Sequence, residues 1–522
     1  MFHCFRRKTD DTKGVLTSNT SNVTLSDWNY LNKPGFRLQP LRIAICGAGV
    51  AGLCLAYKII EAQKKGVLGP IKFVLFEKDD TAHGTQTVIL VVDAMFQVLP
   101  TSTRLHPTQT GQTIYNNALG TWDITVVNLG TSEAETKSYD VFAPATGVLS
   151  NVNHPAIPGL ESFTKTRIFH TAEWPVDLDW QSAFKDERVA VIGIGSSSLQ
   201  TIGAIAPHCK NLDIYGRSKF WVVPTLFTLN SLQGHEWHNE NFLYTKEEQA
   251  DFIKSPETLY RHLKEVSASI NGYFALPLGP TPGAAFLEAL KLPTVDFTNK
   301  PIKMVTTNGI MTDDGIERLM DRIILATGFD TGFKPSYKFI GGDGVDLSDV
   351  WAQRPKAYMS IAVTGFPNMF LMGCGPGITY VNGSLLPCTE AQADYIVACL
   401  SKLQKQDIKT MEVNKDAQDE YNIQREALMK DLIFTEPCPS WYKGGKVDGE
   451  PDALYAGSTL HYMEMLASPR WEDWKFVSIH PNRISYLGNG ASSIEATGGD
   501  RAYYITIQDA RNALKASDYR AD

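Results

Sequence analysis

Two glycine-rich turns contain the residues of this sequence whose types and spacing could do chemistry. The first turn, GAGVAG, places Gly47, Gly49 and Gly52 directly after the apolar run RIAIC. In such a turn the first glycine closes the bend, the second lets the backbone approach a pyrophosphate, and the third lets a helix pack on the strand. The helix that follows offers N–H donors and a positive dipole end to phosphates. The pattern predicts a dinucleotide site.

The charge at the end of the next predicted strand indicates which dinucleotide fits. The run IKFVLFE ends at Glu77, whose carboxylate can accept both hydroxyl protons of a ribose. The same carboxylate would repel a 2′-phosphate. This first site is therefore predicted to accept FAD or NAD and to exclude NADP.

The second turn, GIGSSSLQ, follows the apolar run RVAVI and supplies Gly193 and Gly195. Its helix start adds four further predicted cofactor-binding residues, Ser196, Ser197, Ser198 and Gln200. The next strand, NLDIY, leads to Arg217 and Ser218, which complete the predicted set. Because a guanidinium at this place can pair with the 2′-phosphate of NADP, this second site is predicted to bind NADPH.

Each turn stands between a predicted strand and a predicted helix, so the chain repeats one strand–turn–helix–strand unit. The distance between the two units predicts an α/β fold with two Rossmann-like dinucleotide-binding domains, one inserted into the other. Two ATG segments, 145–147 and 326–328, each follow a buried strand and are predicted to be the crossings between the domains.

Composition and charge limit the possible partners. With 522 residues, 43% of them hydrophobic and 20% charged, the chain is predicted to be globular with two or more domains. A net charge of −8 argues against nucleic acid as a partner. The apolar stretch 87–100 is too short to cross a bilayer and contains Asp93 and Gln97, so no integral membrane segment is predicted.

Location and metal content are also predicted from sequence patterns. The basic N-terminal residues are not followed by an apolar stretch typical of a secretory signal, so a cytoplasmic location is expected. The eight cysteines form no CxxC pair and no cluster with histidines at metal-ligand spacing, so no metal is expected. The stretch EVNKDAQDEYNIQREALMKDL is predicted to be a charged, solvated helix.

From about residue 41 to the C-terminus, the chain resembles the class B flavin monooxygenases, and among them the Baeyer-Villiger enzymes of fungal secondary metabolism. The matching segments are GAGVAG with Glu77, ATG, PAIPGLESF, HTAEWP, GIGSSS with Arg217, LATGFD, GFPNMFLMGCGPG, NGSLLP, EPCPSWYK, STLHYME and PRWEDW. Gly84 and Thr85 match part of a further flavin-side segment. HTAEWP matches the later half of the family's linker fingerprint, which implies that His170 and Trp174 couple NADP binding to domain rotation.

The resemblance implies FAD in the first site and NADPH in the second. NADPH would reduce the flavin, and the reduced flavin would use O2 to convert a hydrophobic ketone, such as a polyketide or terpenoid, into an ester or lactone. The implied division of the chain is a flexible N-terminal arm (1–38), the first part of the FAD domain (39–150), a linker (151–175), an NADP-binding and substrate-facing domain (176–324), and the second part of the FAD domain with the C-terminal region (325–522).

The sequence identifies no catalytic residue. The family places a catalytic Arg just before a segment resembling TPGAAFLEAL, but here that segment follows LPLGP, which contains no Arg. Two alternatives stay open. One is a flavin monooxygenase that hydroxylates nitrogen or sulfur and needs no activated carbonyl, although HTAEWP favours the Baeyer-Villiger branch. The other is a catalytically impaired homologue that retains nucleotide binding alone.

Overall fold

The part of the chain that the structure describes contains nineteen strands. The computed structural model describes residues 25–77, 105–128, 131–149, 151–163, 167–175, 177–217, 222–223, 245–272, 281–378, 385–438, 440–509 and 511. Its strands are β1 (Leu41–Cys46), β2 (Ile71–Glu77), β3 (Leu105–Asn116), β4 (Thr121–Asn128), β5 (Ala134–Tyr139), β6 (Val141–Pro144), β7 (Ile168–His170), β8 (Arg188–Ile192), β9 (Asn211–Tyr215), β10 (Val222–Val223), β11 (Thr281–Pro282), β12 (Val295–Thr298), β13 (Ile302–Val305), β14 (Gly309–Thr312), β15 (Glu317–Leu319), β16 (Arg322–Leu325), β17 (Lys338–Ile340), β18 (Ile408–Val413) and β19 (Trp474–Ser478).

The helices vary from one turn to more than five turns in length. They are α1 (Val50–Lys64), α2 (Trp180–Ala183), α3 (Ser196–Ile205), α4 (Lys246–Lys254), α5 (Pro256–Gly272), α6 (Ala284–Ala289), α7 (Leu347–Val350), α8 (Leu385–Lys405), α9 (Lys415–Met429), α10 (Thr459–Leu466) and α11 (Ser493–Thr497). Within the described ranges, none of these helices has the length and apolar character needed to cross a membrane.

The first large sheet has seven strands in the order β5-β4-β3-β2-β1-β6, with β17 paired to β3. Strand β1 is parallel to β2 on one side and to β6 on the other, so the chain order reverses across β1. Its residues Ile43–Cys46 are almost completely buried, as expected for a parallel strand covered on both faces. The carboxyl end of β1 is therefore a topological switch point, where α/β sheets bind ligands.

The second large sheet has five strands in the order β12-β9-β8-β16-β7. Strand β8 is parallel to β9 on one side and to β16 on the other, which repeats the arrangement around β1. Both strand–turn–helix–strand units predicted from the sequence are therefore confirmed. All five strands lie in sequence between β6 and β17, both of which belong to the first sheet, so the second sheet is formed by an insertion into the first.

Two connecting segments, which follow β6 and β16, join the two sheets and pair with each other. The N–H of Asn153 donates to the Gly328 carbonyl at 3.0 Å, and the N–H of Asp330 donates to the Asn151 carbonyl at 2.8 Å. The Thr327 hydroxyl adds a bond to the Asn153 carbonyl at 2.6 Å. These bonds join a segment just beyond the first ATG to the end of the second ATG and the residues after it, so the connecting segments cross between the sheets as an antiparallel pair.

The chain divides into two compact units. The larger contains Pro40–Ser401 and Thr410–Phe476, and the smaller contains Met1–Gln39, Lys402–Lys409 and Val477–Asp522. Within the smaller unit, the N–H of Gly35 donates to the Ala491 carbonyl and that of Phe36 to the Tyr486 carbonyl, both at 2.8 Å. Residues 25–38 thus pack with the C-terminal segment, a contact that no local pattern predicts.

Helix α9 corrects the prediction of a fully solvated charged helix. Gln418, Asn422, Arg425 and Met429 are buried along one face, at the spacing of successive helical turns. Asn422 donates to the Ala357 carbonyl at 3.1 Å. The prediction was wrong for this face because its polar side chains are satisfied by tertiary hydrogen bonds, which the charge pattern does not reveal.

Candidate functional site

The first glycine turn joins β1 to α1 and is closed by backbone contacts. Gly47 has a φ of +110°, and a Cβ there would lie 2.3 Å from the Ala145 carbonyl oxygen. Its N–H donates to the Phe76 carbonyl at 2.8 Å. A Cβ on Gly52 would lie only 1.9 Å from the Gly47 carbonyl oxygen. Gly47 and Gly52 are thus required by the protein's own packing.

Gly49 stands at the N-cap of α1 in an extended conformation, and no side chain caps this helix end. The first N–H groups of a helix have no partner within the helix. Together with the helix dipole they form a site that attracts an anion such as a pyrophosphate. The geometry around Gly49 therefore fits the predicted dinucleotide.

Glu77 is the last residue of β2, and its half-buried carboxylate contacts the glycine turn. Its Oε2 accepts a hydrogen bond from the N–H of Ala48 at 2.6 Å. The carboxylate thereby ties the end of β2 to the turn, a role that the sequence did not reveal. Ribose binding by Glu77 stays a prediction.

The second glycine turn repeats the geometry of the first. Gly193 has a φ of +121°, and a Cβ there would lie 2.2 Å from the Ala326 carbonyl oxygen. Its N–H donates to the Tyr215 carbonyl at 3.0 Å. Ala326 opens the second ATG segment as Ala145 opens the first, so each turn packs on the residue that follows the neighbouring parallel strand. The internal repeat thus extends to single backbone contacts.

Ser198 takes the place that Gly52 has in the first unit. It is completely buried, and its hydroxyl donates to the Gly193 carbonyl at 2.8 Å. A contact that admits only glycine in the first unit is converted here into a hydrogen bond. Any contribution of Ser198 to cofactor binding is therefore indirect, through the shape of the turn.

Gly195 is the N-cap of α3, with a φ of −86°, and as a glycine it has no side chain to cap the helix. Among the described residues, a Cβ at Gly195 would meet nothing within 4 Å, so their packing does not require glycine here. The close approach of a ligand would require it. Ser196, Ser197 and Gln200 lie in the first two turns of the same helix, where Ser196 and Gln200 are exposed and Ser197 is half-buried.

Arg217 is exposed and lies two residues beyond the end of β9. Within the described part of the chain, no carboxylate pairs with its guanidinium. Strand β9 is the neighbour of β8, so Arg217 lies at the same sheet edge as the second glycine turn. This placement fits the predicted contact with a 2′-phosphate.

His170 and Trp174, the fingerprint pair, have different surroundings. His170 ends β7, is completely buried, and its Nδ1 accepts from the N–H of Ala172 at 3.1 Å. Its ring contacts those of His154 and Phe329, one from each connecting segment, at centroid distances of 6.1 and 5.9 Å. Burial lowers the pKa of His170, which favours the neutral imidazole. His170 therefore lies where the two sheets are joined.

Trp174 packs into the core of the inserted domain. Its ring lies 4.9 Å from that of Phe169 and 6.3 Å from that of Phe184, centroid to centroid. Trp174 packs against the cluster of buried apolar residues around the second sheet. A coupling role of His170 and Trp174 between cofactor binding and domain rotation stays a prediction.

Several predicted residues lie outside the described ranges. These are Gly84 and Thr85 of the flavin-side segment, Ser218 after β9, and the LPLGP stretch at 276–280. Elsewhere, the described residues include no group of three or more His, Cys, Asp or Glu side chains placed to hold a metal ion.

Curated relatives of the chain are FAD-binding monooxygenases. The monooxygenase moxY of Dothistroma septosporum is 32% identical over 386 residues, which cover 66% of this chain and 59% of moxY. The monooxygenase stcW of Emericella nidulans is 28% identical over 544 residues, covering 88% of this chain and 87% of stcW. This chain is similar to flavin monooxygenases. A Baeyer-Villiger monooxygenase of Pseudomonas aeruginosa, 26% identical over 480 residues, is a further relative. The resemblance predicted from the motifs is confirmed.

The fold of the chain matches solved structures over most of its length. Cyclohexanone monooxygenase from Rhodococcus sp. Phi1 bound to NADP+ superposes with a TM-score of 0.67 at 20% identity, covering 85% of this chain and all of that chain. An oxidised steroid monooxygenase bound to NADP gives a TM-score of 0.63 at 20% identity. No family model matches the sequence. The predicted two-domain α/β fold is confirmed.

One group of residues in the chain was not assigned a role from the sequence. The loop 373–377, within GFPNMFLMGCGPG, packs beside the first glycine turn, since a Cβ on Gly373 would lie 2.7 Å from the Cβ of Ala51. Gln392 and Tyr462 lie behind this loop. An apolar run followed by closely spaced glycines is the same signal that marks the two turns, and it could have pointed to the loop.

Proposed function

We propose that the chain is an FAD-dependent, NADPH-consuming monooxygenase that carries out Baeyer-Villiger oxidation of a hydrophobic ketone, such as a polyketide or terpenoid, to an ester or lactone. The observation that carries the proposal is the pair of equivalent glycine turns whose second strands end in opposite charges, Glu77 and Arg217. The names of the fungal relatives and of the Baeyer-Villiger relative support the reaction class. The match covers 59% of moxY, so activity and substrate are proposals for this chain.

FAD is proposed for the first turn. The pyrophosphate would meet the uncapped N-terminus of α1, where Gly49 permits close approach. Glu77 holds the Ala48 N–H and would accept a hydrogen bond from a ribose hydroxyl. The residues present therefore fit a dinucleotide without a 2′-phosphate.

NADPH is proposed for the second turn. The uncapped N-terminus of α3 and the open space at Gly195 suit a pyrophosphate. Arg217 would make charge-assisted, bidentate hydrogen bonds to the 2′-phosphate. NAD(H) has no such phosphate, so Arg217 gives the site its preference.

Bound FAD would supply the hydride acceptance and oxygen activation that the amino acids cannot. The chain's own residues bind, orient and isolate. The two helix N-termini hold the two pyrophosphates, and the turns fix the distance from each pyrophosphate to its sheet. His170, neutral because burial lowers its pKa, would link the inserted domain to the connecting segments without adding a buried charge.

The domain boundaries of the proposed enzyme follow from the sequence units. We place the first part of the FAD domain at 39–150, the linker at 151–175, the NADP-binding domain at 176–324 and the second part of the FAD domain from 325 onward. The paired segments around Asn153 and Gly328 support crossings near these positions. The strand order of the two sheets supports the insertion.

The second candidate is a homologue that binds both nucleotides but does not oxygenate. It is favoured by the absence of an Arg in LPLGP. In a water-poor site, one preorganised donor stabilises the charge that develops in the transition state by roughly 3–4 kcal/mol. Flavin content and turnover separate the two candidates.

The test uses the full-length protein purified without added cofactor. The proposed enzyme shows flavin absorbance, and it oxidises NADPH with O2 uptake that a panel of hydrophobic ketones accelerates, with ester or lactone formed. Flavin absorbance with NADPH-dependent O2 uptake but no ester or lactone would contradict the Baeyer-Villiger reaction. Flavin without O2 uptake supports the impaired homologue, and absence of flavin binding contradicts both candidates.

A further inference from the structure

The loop 373–377 is held directly against the first turn of α1. The N–H of Met372 donates to the Pro144 carbonyl at 2.8 Å, at the carboxyl end of β6. The Cys374 thiol donates to the same carbonyl at 3.1 Å. Gly373, with a φ of +65°, approaches Ala51 so closely that a Cβ would lie 2.7 Å from the Ala51 Cβ. The loop therefore lies at the switch point where the first pyrophosphate is proposed to bind.

Two buried side chains anchor the two ends of this loop. At one end, Oε1 of Gln392, on α8, accepts a hydrogen bond from the N–H of Gly373 at 3.0 Å. At the other end, the Ser360 hydroxyl donates to the Pro376 carbonyl at 2.6 Å. Between them, a Cβ on Gly375 would lie 2.4 Å from the Ser360 carbonyl oxygen. The loop has no room to shift toward Ser360.

The two anchors are themselves connected. Nε2 of Gln392 donates to the Tyr462 hydroxyl at 2.9 Å, and that hydroxyl donates to the Met359 carbonyl at 2.9 Å. Met359 precedes Ser360, and both have positive φ values, 51° and 58°, which cost energy outside glycine. The hydrogen bonds and the chain together form a closed ring. Gln392, Tyr462 and Ser360 are completely buried within it.

The direction of every hydrogen bond on the Gln392 side is fixed. The series begins at a backbone N–H, which can only donate, and ends at a backbone carbonyl, which can only accept. The Gln392 amide and the Tyr462 hydroxyl therefore each have one orientation. Because a broken bond would leave a buried polar group unsatisfied, the ring resists movement of the loop.

We propose that Gln392, Tyr462 and Ser360 are positioning residues for the flavin site. Their ring of hydrogen bonds fixes loop 373–377 against the first turn of α1 and thereby sets the affinity for FAD. The inference rests on the proposed function, because it takes FAD as the ligand of the first glycine turn. None of the three side chains needs to touch the cofactor.

The experiment titrates FAD into cofactor-free protein and follows the flavin fluorescence. Gln392→Leu removes both amide bonds and is expected to raise the Kd for FAD about tenfold. Tyr462→Phe removes one oxygen with little change in shape, so it should fold even if Gln392→Leu does not, and it is expected to weaken FAD to a smaller extent. The Kd for NADP+ should stay at the wild-type value in both variants.

Gln418→Leu provides the matched control. Gln418, on α9, is also buried and also accepts a backbone N–H with its amide oxygen, that of Thr364 at 2.8 Å. Its loss should lower stability without changing the Kd for FAD.

Three outcomes contradict the inference. A wild-type Kd for FAD in folded Gln392→Leu, or in Tyr462→Phe where the first variant does not fold, contradicts the inference alone. Equal weakening by Gln418→Leu shows a general effect of lost stability and likewise overturns it. Wild-type protein that takes up no FAD contradicts the proposed function, and the inference with it, so the two failures are distinguishable.

Discussion

At the scale of single residues, the two charged side chains that follow the glycine turns, Glu77 and Arg217, differ in their contacts with the protein. Glu77 accepts the N–H of Ala48 and so helps to shape the turn, in addition to its predicted role in binding a ribose. Arg217 has no carboxylate partner within the described residues and is exposed. The acidic residue is thus partly structural, whereas the described residues show no such role for the basic one.

Arg217→Ala is expected to raise the KM for NADPH about tenfold to a hundredfold, because charge-assisted hydrogen bonds to the 2′-phosphate are lost. The KM for NADH, which has no 2′-phosphate, should not change. Steady-state kinetics with both coenzymes measures the effect. Lys210→Ala, an exposed lysine just before β9 and so at the strand's opposite end, is the control and should leave both values unchanged. An equal change with NADH would rule out phosphate recognition.

At the scale of elements, glycines within one turn differ in what requires them. Gly193 is required by the close approach of the Ala326 carbonyl and by its positive φ. Gly195, two residues later, has open space around its missing Cβ and an ordinary φ. The sequence pattern alone treats both glycines alike.

Gly193→Ala is expected to destabilise the protein by roughly 2–4 kcal/mol, because its Cβ would overlap a backbone carbonyl in a strained conformation. Gly195→Ala should leave the melting temperature unchanged but weaken NADP+ binding, since the added methyl group would occupy the ligand's approach. Thermal unfolding and NADP+ titration of the two variants test the pair. NADP+ binding at wild-type affinity by Gly195→Ala would argue against a pyrophosphate at this helix end.

A pair of carboxylates on neighbouring strands is expected to make the stability of the inserted domain depend on pH. Asp213 on β9 lies beside Asp296 on β12, and Arg318 faces both, with Nε to Oδ2 distances of 4.0 and 3.8 Å. Burial, with the charge of Asp296 as a smaller contribution, raises the pKa of Asp213 to about 6. The folded state therefore binds the proton of Asp213 more tightly than the unfolded state does.

As pH rises from about 4, the pKa of an unfolded Asp, to about 6, wild-type stability should fall relative to Asp213→Asn, because only the wild-type residue must ionise when buried. At pH 7 the variant is expected to be more stable by about 2 kcal/mol, and near pH 4 the two should be equal. Unfolding of both proteins across this pH range measures the difference. A difference that does not vary with pH would contradict the raised pKa.

At the scale of the whole molecule, the two large sheets share one arrangement of strand, glycine turn and helix, and the paired connecting segments join them. Strand β1 of the first sheet and strand β8 of the second each lie between two parallel neighbours, and both glycine turns pack on an ATG segment. Because the antiparallel connecting segments lie between the sheets and His170 contacts both of them, these segments join the inserted domain to its host.

Each cofactor should stabilise the protein independently. Saturation at a hundredfold excess over Kd adds about 2.7 kcal/mol, so removal of FAD is expected to lower the melting temperature, as is removal of NADP+. Gly195→Ala should lose the shift with NADP+ while keeping the shift with FAD. Thermal unfolding with each cofactor alone provides the measurement. Loss of both shifts in this variant would mean that the two sites are not separate.

The sequence by itself determined both strand–turn–helix–strand units, the opposite charges at Glu77 and Arg217, and the resemblance to flavin monooxygenases. These features are local, since a glycine turn between an apolar strand and a helix is encoded by neighbouring residues. The α/β class and the insertion followed from the order and separation of the two units. The charged helix α9 was misjudged because polar residues such as Asn422 bury well when distant partners satisfy them.

Only the tertiary structure decided which residues stand behind the site. The contact of Gly47 with Ala145 and the bond from Gly373 to Gln392 join residues far apart in the chain. So does the bond from Gln392 to Tyr462. No periodicity or spacing encodes such contacts, because they arise where strands and helices of separate segments meet. The cofactor classes could therefore be predicted from the sequence, whereas the hydrogen bonds that hold the first turn in shape could not.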